Sequence, residues 1–266
     1  MKLLITTILI ISSLNSCASL RNINLVSTSD EIKMGEEYSS YIEKKLEMCR
    51  NEIVNSYIDS LGQSLTSNSK RSNVTYKFKV ILDKSINAFA VLGGWIYVTS
   101  SLILASDSED ELASVISHEI GHIEKKHSAK AITSHTGLQI AGEAIFHKKP
   151  SIKDKILIGS TLILLKNSRE SEKEADYYGV DNLSRHNYYP WAFLTFLDKI
   201  ENDMNKLVEW TSTHPSSKNR KKYIRRHVDA LIEDLPTGDN GYSIMKVKHR
   251  ISKSYDNVKK ILDKDL

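Results

Sequence analysis

The pentapeptide His118-Glu119-Ile120-Gly121-His122 constrains this chain more than any other segment. Two imidazoles four residues apart lie about one turn apart on the same face of a helix, so both can bind one metal ion. The glutamate between them lies beside that ion and can accept a proton from a water molecule there. The segment therefore predicts a helix that carries two metal ligands, His118 and His122, and a general base, Glu119.

The residues around this pentapeptide predict that its helix is buried. Ser108 and Glu111 have the spacing of a capping box, which marks a helix start. A stripe of apolar residues follows and is interleaved with the two histidines: Leu112, Val115, Ile116, Ile120 and Ile123. Polar side chains in a buried helix need partners, because burying them alone costs free energy. A metal ion is the most economical partner.

A later segment offers the third ligand. A tetrahedral catalytic zinc takes three protein ligands and leaves one position for water, so another His, Asp or Glu is expected. Glu172 and Asp176 are four residues apart and therefore share one helix face. Glu172 can reach the metal, while Asp176, one turn along, can accept the free ring N–H of a ligating histidine and fix its orientation. We therefore expect one Zn²⁺ per chain.

The periodicity changes before the metal helix. Residues 30–67 have apolar positions at helical spacing, whereas residues 76–82 alternate as a strand with one solvated face does. Residues 88–91 and 95–98 are β-prone and are separated by Leu92-Gly93-Gly94, which is typical of a hairpin. The chain is therefore predicted to be α+β and mostly α-helical, with a small antiparallel sheet beside the metal helix.

The order of these motifs resembles the gluzincin peptidase family of HtpX, Oma and the CaaX prenyl protease, above all its BepA- and LoiP-type periplasmic members. The resemblance covers about residues 30–220. It is carried by H-E-I-G-H, the later S-R-x-x-E-x-E-A-D, and the upstream N-A-F-A and G-G. It implies a zincin-like metallopeptidase fold and assigns the site: zinc ligands His118, His122 and Glu172, general base Glu119, and supporting residue Asp176.

The resemblance also suggests where substrate binds. One β-prone run is similar to the family's edge strand: Trp95, Ile96, Tyr97 and Val98. An extended peptide can add to such a strand through backbone hydrogen bonds, a mode that accepts many sequences. The alternative is that this strand is covered in the intact fold.

Other residues near the motifs receive individual interpretations. By the resemblance, His214 is a fourth zinc ligand of a resting state, a gate, or an oxyanion stabiliser, and Arg220 is a second candidate for the oxyanion role. His127, five residues after His122, fits the family's extended helix pattern but points off the ligand face, so it is interpreted as structural. Glu170 and Glu174 are interpreted as solvated helix surface.

The N-terminus predicts export and lipidation. Residues 1–16 have a basic start and an apolar stretch too short to span a membrane, as a secretory signal peptide does. Cys17 follows Leu14-Asn15-Ser16, which resembles the bacterial lipobox, so Cys17 is the predicted lipid attachment site. Residues 17–29 then form a tether, and the protein is expected on the periplasmic face of the outer membrane. An ordinary cleaved signal peptide with an incidental cysteine is the alternative.

The remaining sequence defines the domains. Residues 30–220 form the predicted metallopeptidase domain, and residues 221–266 a helical extension packed on it. The apolar run 156–165 is interpreted as a buried helix, with a membrane-dipping segment as the alternative. Cys49 is interpreted as a small buried residue. The 37 basic and 33 acidic residues are spread along the chain, so no nucleic-acid partner is expected.

Together these patterns predict a zinc metalloendopeptidase that acts on unfolded or extended polypeptides, in the quality control of misfolded envelope or outer-membrane proteins. The alternative is a chaperone-like or assembly factor with weak or gated proteolysis, working with the envelope assembly machinery. A structural zinc module with four protein ligands is a third possibility.

Overall fold

The computed structural model describes residues 24–133, 168–203, 210–211, 213–215, 219–233 and 253–265. Its helices are α1 (Thr28–Lys45), α2 (Glu52–Thr66), α3 (Ser100–Ala105), α4 (Glu109–Glu124), α5 (Arg169–Arg185), α6 (Ala192–Glu201), α7 (Arg220–Glu233) and α8 (Lys253–Asp265). Its strands are β1 (Lys77–Ile81), β2 (Ala88–Val91) and β3 (Trp95–Thr99). The predicted α+β class, mostly α-helical, is confirmed.

Some predicted segments lie outside the described residues. These are the signal peptide 1–16, the lipidation site Cys17, most of the tether and the apolar run 156–165. None of the helices in the described ranges combines the length and the apolar character that a membrane span requires.

The sheet is mixed, in the order β1-β3-β2. The predicted hairpin is present, because β2 pairs antiparallel with β3 across a turn in which Gly93 and Gly94 have φ of 72° and 96°. The prediction of a purely antiparallel sheet is wrong for β1, which pairs parallel with β3. Alternation along β1 shows which face is solvated but not the direction in which the neighbouring strand runs. The chain passes through β2 between β1 and β3, so β1 and β3 can run parallel.

The predicted edge strand is not at an edge. Strand β3, which contains the run named above, Trp95, Ile96, Tyr97 and Val98, is paired along its length with β1 on one side and β2 on the other. Its backbone groups therefore bind neighbouring strands, and the alternative of a covered strand is correct. The apolar residues of this segment are explained by the burial of β3 in the centre of the sheet, not by contact with substrate. The edge strand that packs against α4 is β2.

Helices α4 and α5 approach each other closely at small residues. A Cβ atom on Gly121 would lie 3.1 Å from Cα of Ala175, and one on Gly179 would lie 3.2 Å from the backbone nitrogen of His118. The side chain of Ser108 caps α4 by accepting from the Glu111 N–H, as its sequence pattern predicts. This packing brings the first turns of α5 beside the histidines of α4.

Helices near both ends of the described chain pack against the rest of the domain. The predicted helical region 30–67 is divided into α1 and α2, and Cys49 lies buried between them, where its N–H bonds to Val80 O. Helix α8 packs beside α3, since Tyr255 Oη donates to the carbonyls of Ile103 and Ser106. The predicted boundary at residue 220 falls at the start of α7.

Candidate metal centre

Four side chains from three parts of the chain point ligand atoms at one another. His118 Nε2 lies 3.1 Å from His122 Nε2 and 3.3 Å from His214 Nδ1. Glu172 Oε2 lies 3.4 Å from His118 Nε2 and 3.3 Å from His214 Nδ1, and its Oε1 lies 3.3 Å from His122 Nε2. All four residues are at most 3% exposed. The structure thus brings both α4 histidines, the acidic residue of α5 and His214 into one buried cluster.

These four residues fit a zinc ion. Imidazole and carboxylate ligands bind zinc at about 2.0–2.2 Å, and the edges of such a tetrahedron measure about 3.3–3.5 Å. The separations of 3.1 to 3.4 Å between the four residues match those edges. Within the described residues, the buried Oε1 of Glu172 also has no hydrogen-bond donor. A cation between the four residues would satisfy it.

Glu119 also belongs to this cluster but faces it differently. A carboxylate oxygen of Glu119 lies within 4.8 Å of ligand atoms of His118, His122 and His214. Its closest contact in the group is Oε1 to His214 Nε2, at 3.4 Å. That nitrogen is the one turned away from Glu172, so Glu172 fits the ligand position better. Burial raises the pKa of Glu119 despite the nearby histidines and the hydrogen bond from the Ala90 backbone.

His214 is held by the edge strand. Its Nε2 lies 3.2 Å from the carbonyl oxygen of Ala88 on β2. A carbonyl only accepts hydrogen bonds, so Nε2 donates to Ala88, and Nδ1 is the nitrogen that faces His118 and Glu172. The ring also stacks on Trp210, with centroids 4.2 Å apart. The contacts with Ala88 and Trp210 fix the orientation of the ring, with Nδ1 directed at the metal cluster.

Behind His118 lies a buried charged group. His118 Nδ1 is 2.9 Å from Asp176 Oδ1. Asp176 accepts from Arg220 Nη2 at 2.7 Å and Nε at 3.0 Å, and from Tyr223 Oη at 2.6 Å. Burial alone would raise the pKa of Asp176, but Arg220 and His118 outweigh it and the pKa is lowered. The carboxylate is therefore ionised and aimed at His118.

The charges around His118 also act on that ring. Burial lowers its pKa, but hydrogen bonds and charges from Asp176 and Glu172 outweigh burial and raise the pKa to about 9. Without a metal ion, both ring nitrogens of His118 therefore carry a proton at neutral pH. A metal ion must displace the proton on Nε2 to bind there.

Arg220 is bound to carboxylates. It was predicted as an oxyanion stabiliser, but two of its nitrogens bind Asp176 and Nη2 also lies 3.3 Å from Glu172 Oε2. These contacts hold the carboxylate of the proposed ligand Glu172 and that of Asp176, which lies behind His118. Sequence reasoning missed Tyr223, which lies three residues after Arg220 on α7, and that i, i+3 spacing is the signal that would have indicated it.

Behind His122 lies a pair of side chains that the sequence interpretation assigned elsewhere. His127 Nδ1 is 2.8 Å from His122 Nδ1, and His127 Nε2 is 3.1 Å from Glu174 Oε2. His127 is off the ligand face, as expected, but it contacts the ligand His122 from behind, and Glu174, 40% exposed, contacts His127 as well as solvent. Glu170 is exposed, as expected. Burial lowers the pKa of His127 to about 3 and that of His122 to about 4.

A turn in the backbone brings His127 beside His122. Five residues along a straight helix would point His127 well away from His122. Helix α4 ends at Glu124, and Lys126 then adopts a left-handed conformation with φ of 57°. This turn directs His127 back to His122. No residue type in the segment signals such a turn, since glycine or asparagine is usual there.

Comparison with known proteins shows the family of this chain. Residues 52–228 match the family model of peptidase family M48. The chain is 27% identical over 220 residues to the Beta-barrel assembly-enhancing protease of Escherichia coli (strain K12), covering 77% of this chain and 45% of that protein.

A second similar relative comes from a eukaryote. The Mitochondrial metalloendopeptidase OMA1 of Schizosaccharomyces pombe is 31% identical over 175 residues, covering 63% of this chain and 51% of that protein. The chain thus spans about half the length of the relatives it matches. Both relatives carry names that describe cleavage of proteins.

Proposed function

Since the chain belongs to peptidase family M48, we propose that it is a zinc metalloendopeptidase acting on extended segments of misfolded envelope or outer-membrane proteins. One observation carries the proposal: the buried carboxylate of Glu119 lies beside the four side chains that would hold the metal, and its Oε1 is 3.4 Å from the His214 nitrogen that faces away from Glu172. A structural zinc site has no use for such a carboxylate. A hydrolytic site requires one.

The side chains divide the chemistry among them. His118, His122 and Glu172 would hold the metal, and His214 would complete the set in the resting state. Zinc, when bound, supplies a Lewis acid that polarises the scissile carbonyl and activates water at neutral pH. Glu119 accepts the proton of the attacking water and delivers it to the leaving amine. Burial raises the pKa of Glu119, which makes its carboxylate a better proton acceptor.

The edge strand β2 is the proposed substrate platform, in place of β3. The carbonyl of Asn87 accepts from Thr99 and so points toward β3. By alternation, the backbone groups of Ala88 and Ala90 point to the opposite edge, which pairs with no strand among the described residues. Ala88 O and Ala90 N–H contact His214 and Glu119 there. A peptide that pairs with this edge would lie across the metal cluster.

A second candidate function is supported by the completeness of the metal cluster. With His214 among the ligands, all four positions of a tetrahedron are filled by protein atoms. A site in that state holds a polypeptide without cleaving it, as a chaperone-like or assembly factor with gated proteolysis would. Movement of His214 away from Glu172 would open one position for water.

The cellular setting is proposed on sequence grounds. Residues 1–16 and Cys17 support export and lipid attachment, and therefore a position on the periplasmic face of the outer membrane. The relatives called Beta-barrel assembly-enhancing protease suggest outer-membrane proteins as substrates and the envelope assembly machinery as a partner. Labelling with radioactive palmitate, compared between the wild type and Cys17→Ala, tests the lipid; equal labelling would contradict it.

Casein hydrolysis tests the activity. Wild-type protein loaded with zinc should cleave casein, a chelator should stop cleavage, and added zinc should restore it. Glu119→Gln should bind one equivalent of zinc and cleave at least a thousandfold more slowly, because it cannot accept the proton. Retained cleavage by Glu119→Gln would refute the assignment of the base.

A His214→Ala variant tests whether His214 is a gate or a required zinc ligand. If His214 only gates the site, removing it leaves three ligands and an open position, so cleavage by the variant should be faster than that by the wild type. If the variant loses zinc together with its activity, all four ligands are needed and a structural zinc module is favoured. Zinc content is measured on the same samples.

A further inference from the structure

We infer that His127 and Glu174 are positioning residues that fix the ring of the metal ligand His122; the inference rests on the metal site proposed above. In this arrangement His122 Nδ1–H donates to His127 Nδ1, and His127 Nε2–H donates to Glu174 Oε2. The pair would hold His122 with its Nε2 lone pair directed at the metal.

The distances determine where the protons lie. His122 Nε2 faces His118 Nε2 and Glu172, so it is the nitrogen that binds the metal and it carries no proton. In a neutral imidazole the proton is then on Nδ1. Two ring nitrogens 2.8 Å apart require one donor and one acceptor, so His127 Nδ1 accepts. The His127 proton is therefore on Nε2, 3.1 Å from a Glu174 oxygen.

The contact between His127 and His122 requires a strained backbone at Lys126. Lys126 has φ of 57°, a conformation that costs a non-glycine residue about 1–2 kcal/mol. The two-residue turn at Lys125 and Lys126 changes the path of the chain, so that His127 lies beside His122 instead of at the next position of a straight helix. Strained backbone is concentrated at functional sites, and the strain at Lys126 accompanies the contact between His122 and His127.

The surroundings argue against mere space filling by His127. Its ring is 5% exposed and lies edge-on to His122, with an interplanar angle of 70°. Both of its nitrogens are directed at polar atoms of the site, which an apolar ring of the same size cannot satisfy. Glu174 is on the same helix as the ligand Glu172, two residues further along, so α5 contributes both a ligand and the end of this chain of contacts.

Zinc affinity provides the first test, measured by competition with a chromogenic chelator on the full chain. His127→Phe keeps the ring but removes both nitrogens, and zinc should bind about tenfold more weakly or worse, as when other residues behind a metal ligand are lost. His127→Asn returns an acceptor near the Nδ1 position and should recover part of that loss. Unchanged affinity in His127→Phe, or no recovery in His127→Asn, would overturn the inference.

Glu174 gives a test that does not disturb the core. Glu174→Ala should weaken zinc by a few fold, less than His127→Phe, because the Glu174 side chain is 40% exposed. Glu170→Ala is the matched control, since it removes the same charge from the exposed side of the same helix. If both variants weaken zinc equally, the effect is long-range charge and the positioning role is refuted.

Nitrogen-15 NMR of histidine-labelled, zinc-loaded protein reads the proton positions directly. His127 should give the pattern of an Nε2–H tautomer and His122 that of an Nδ1–H tautomer, with the His122 proton slow to exchange. An Nδ1–H tautomer at His127 would contradict the inference. Failure of wild-type protein to bind zinc would refute the proposed metal site itself, whereas normal zinc binding by both wild type and His127→Phe would refute only the role of His127.

Discussion

Two histidines of one helix have different support on the side away from the metal cluster. His118 is backed by Asp176, which is fully buried and bound by Arg220 and Tyr223. His122 is backed by His127 and then by Glu174, whose side chain is 40% exposed. The first arrangement ties a ligand to the core of the fold. The second connects a ligand to the protein surface, where solvent and salt can act on it.

This difference predicts different consequences of mutation. A buried charged group that loses its partner leaves the other charge uncompensated, so stability and metal binding fall together. An exposed carboxylate is largely solvated already, so its loss affects metal binding and leaves stability nearly unchanged. The four predictions below test that contrast.

The largest effect is expected for Asp176→Asn. The substitution keeps the shape of the side chain but deprives the buried Arg220 of the nearer of its two carboxylate partners and leaves Glu172 as the other. We expect a loss of about 3 kcal/mol or more in the free energy of unfolding of the metal-free protein, measured with urea. Zinc affinity should fall about 10–100-fold.

The pH dependence of the same variant supplies the control. The pKa of Asp176 is lowered in the fold, so its charge stabilises the protein above its ordinary pKa of about 3.9, and this contribution is lost as the pH falls. The stability difference between wild type and Asp176→Asn should therefore be full at pH 7 and shrink below pH 4. A difference that is constant with pH would contradict the role of the charge.

Substitutions at Lys126 address the His122 side through the backbone. A β-branched residue tolerates the left-handed conformation poorly, so Lys126→Val should lose about 2 kcal/mol of stability and weaken zinc through displacement of His127. Lys126→Gly should gain up to about 1 kcal/mol and keep zinc affinity. Thermal unfolding and chelator competition measure both. Equal behaviour of the two variants would show that the turn does not position His127.

Tyr223→Phe should have a smaller effect on the His118 side. It removes one hydrogen bond to Asp176 Oδ2, 2.6 Å long, while Arg220 continues to hold the carboxylate. A hydrogen bond to a charged group contributes about 1.5 kcal/mol, so urea unfolding should show a loss of that size. Tyr177→Phe, on a neighbouring ring that contacts Tyr223 edge-on, is the control and should unfold as the wild type does.

Glu174→Gln should have the smallest effect on stability, below about 0.5 kcal/mol. Its effect on zinc affinity should also depend on salt, because the carboxylate is half-exposed and its charge is screened. Raising the salt concentration from 0.05 to about 1 M should close the gap in zinc affinity between wild type and Glu174→Gln. The gap for Asp176→Asn should persist, and salt sensitivity in both variants would remove the distinction between the two sides.

Local patterns predicted the parts of the site that lie on regular helices. His118, His122, Glu172 and Asp176 were identified because a spacing of four residues fixes a shared face whatever the rest of the fold does. The cap at Ser108 and the turn at Gly93-Gly94 were likewise local.

Features that depend on distant contacts or on unusual backbone were not predicted. The direction of β1 and the central position of β3 are set by pairing between segments. Alternation along one strand does not show which strand pairs with it. His127 depends on a left-handed lysine, which sequence preference does not indicate. The surroundings of Arg220 depend on how α7 packs against α5.

Anomalous X-ray diffraction from zinc-loaded crystals, collected above and below the zinc absorption edge, tests the central claim most directly. The account predicts a single ion at about 2.0–2.2 Å from His118 Nε2, His122 Nε2 and a Glu172 oxygen, with Glu119 close by but not bound to it. An ion held by Glu119 in place of Glu172, or no ion at this cluster, would contradict the claim.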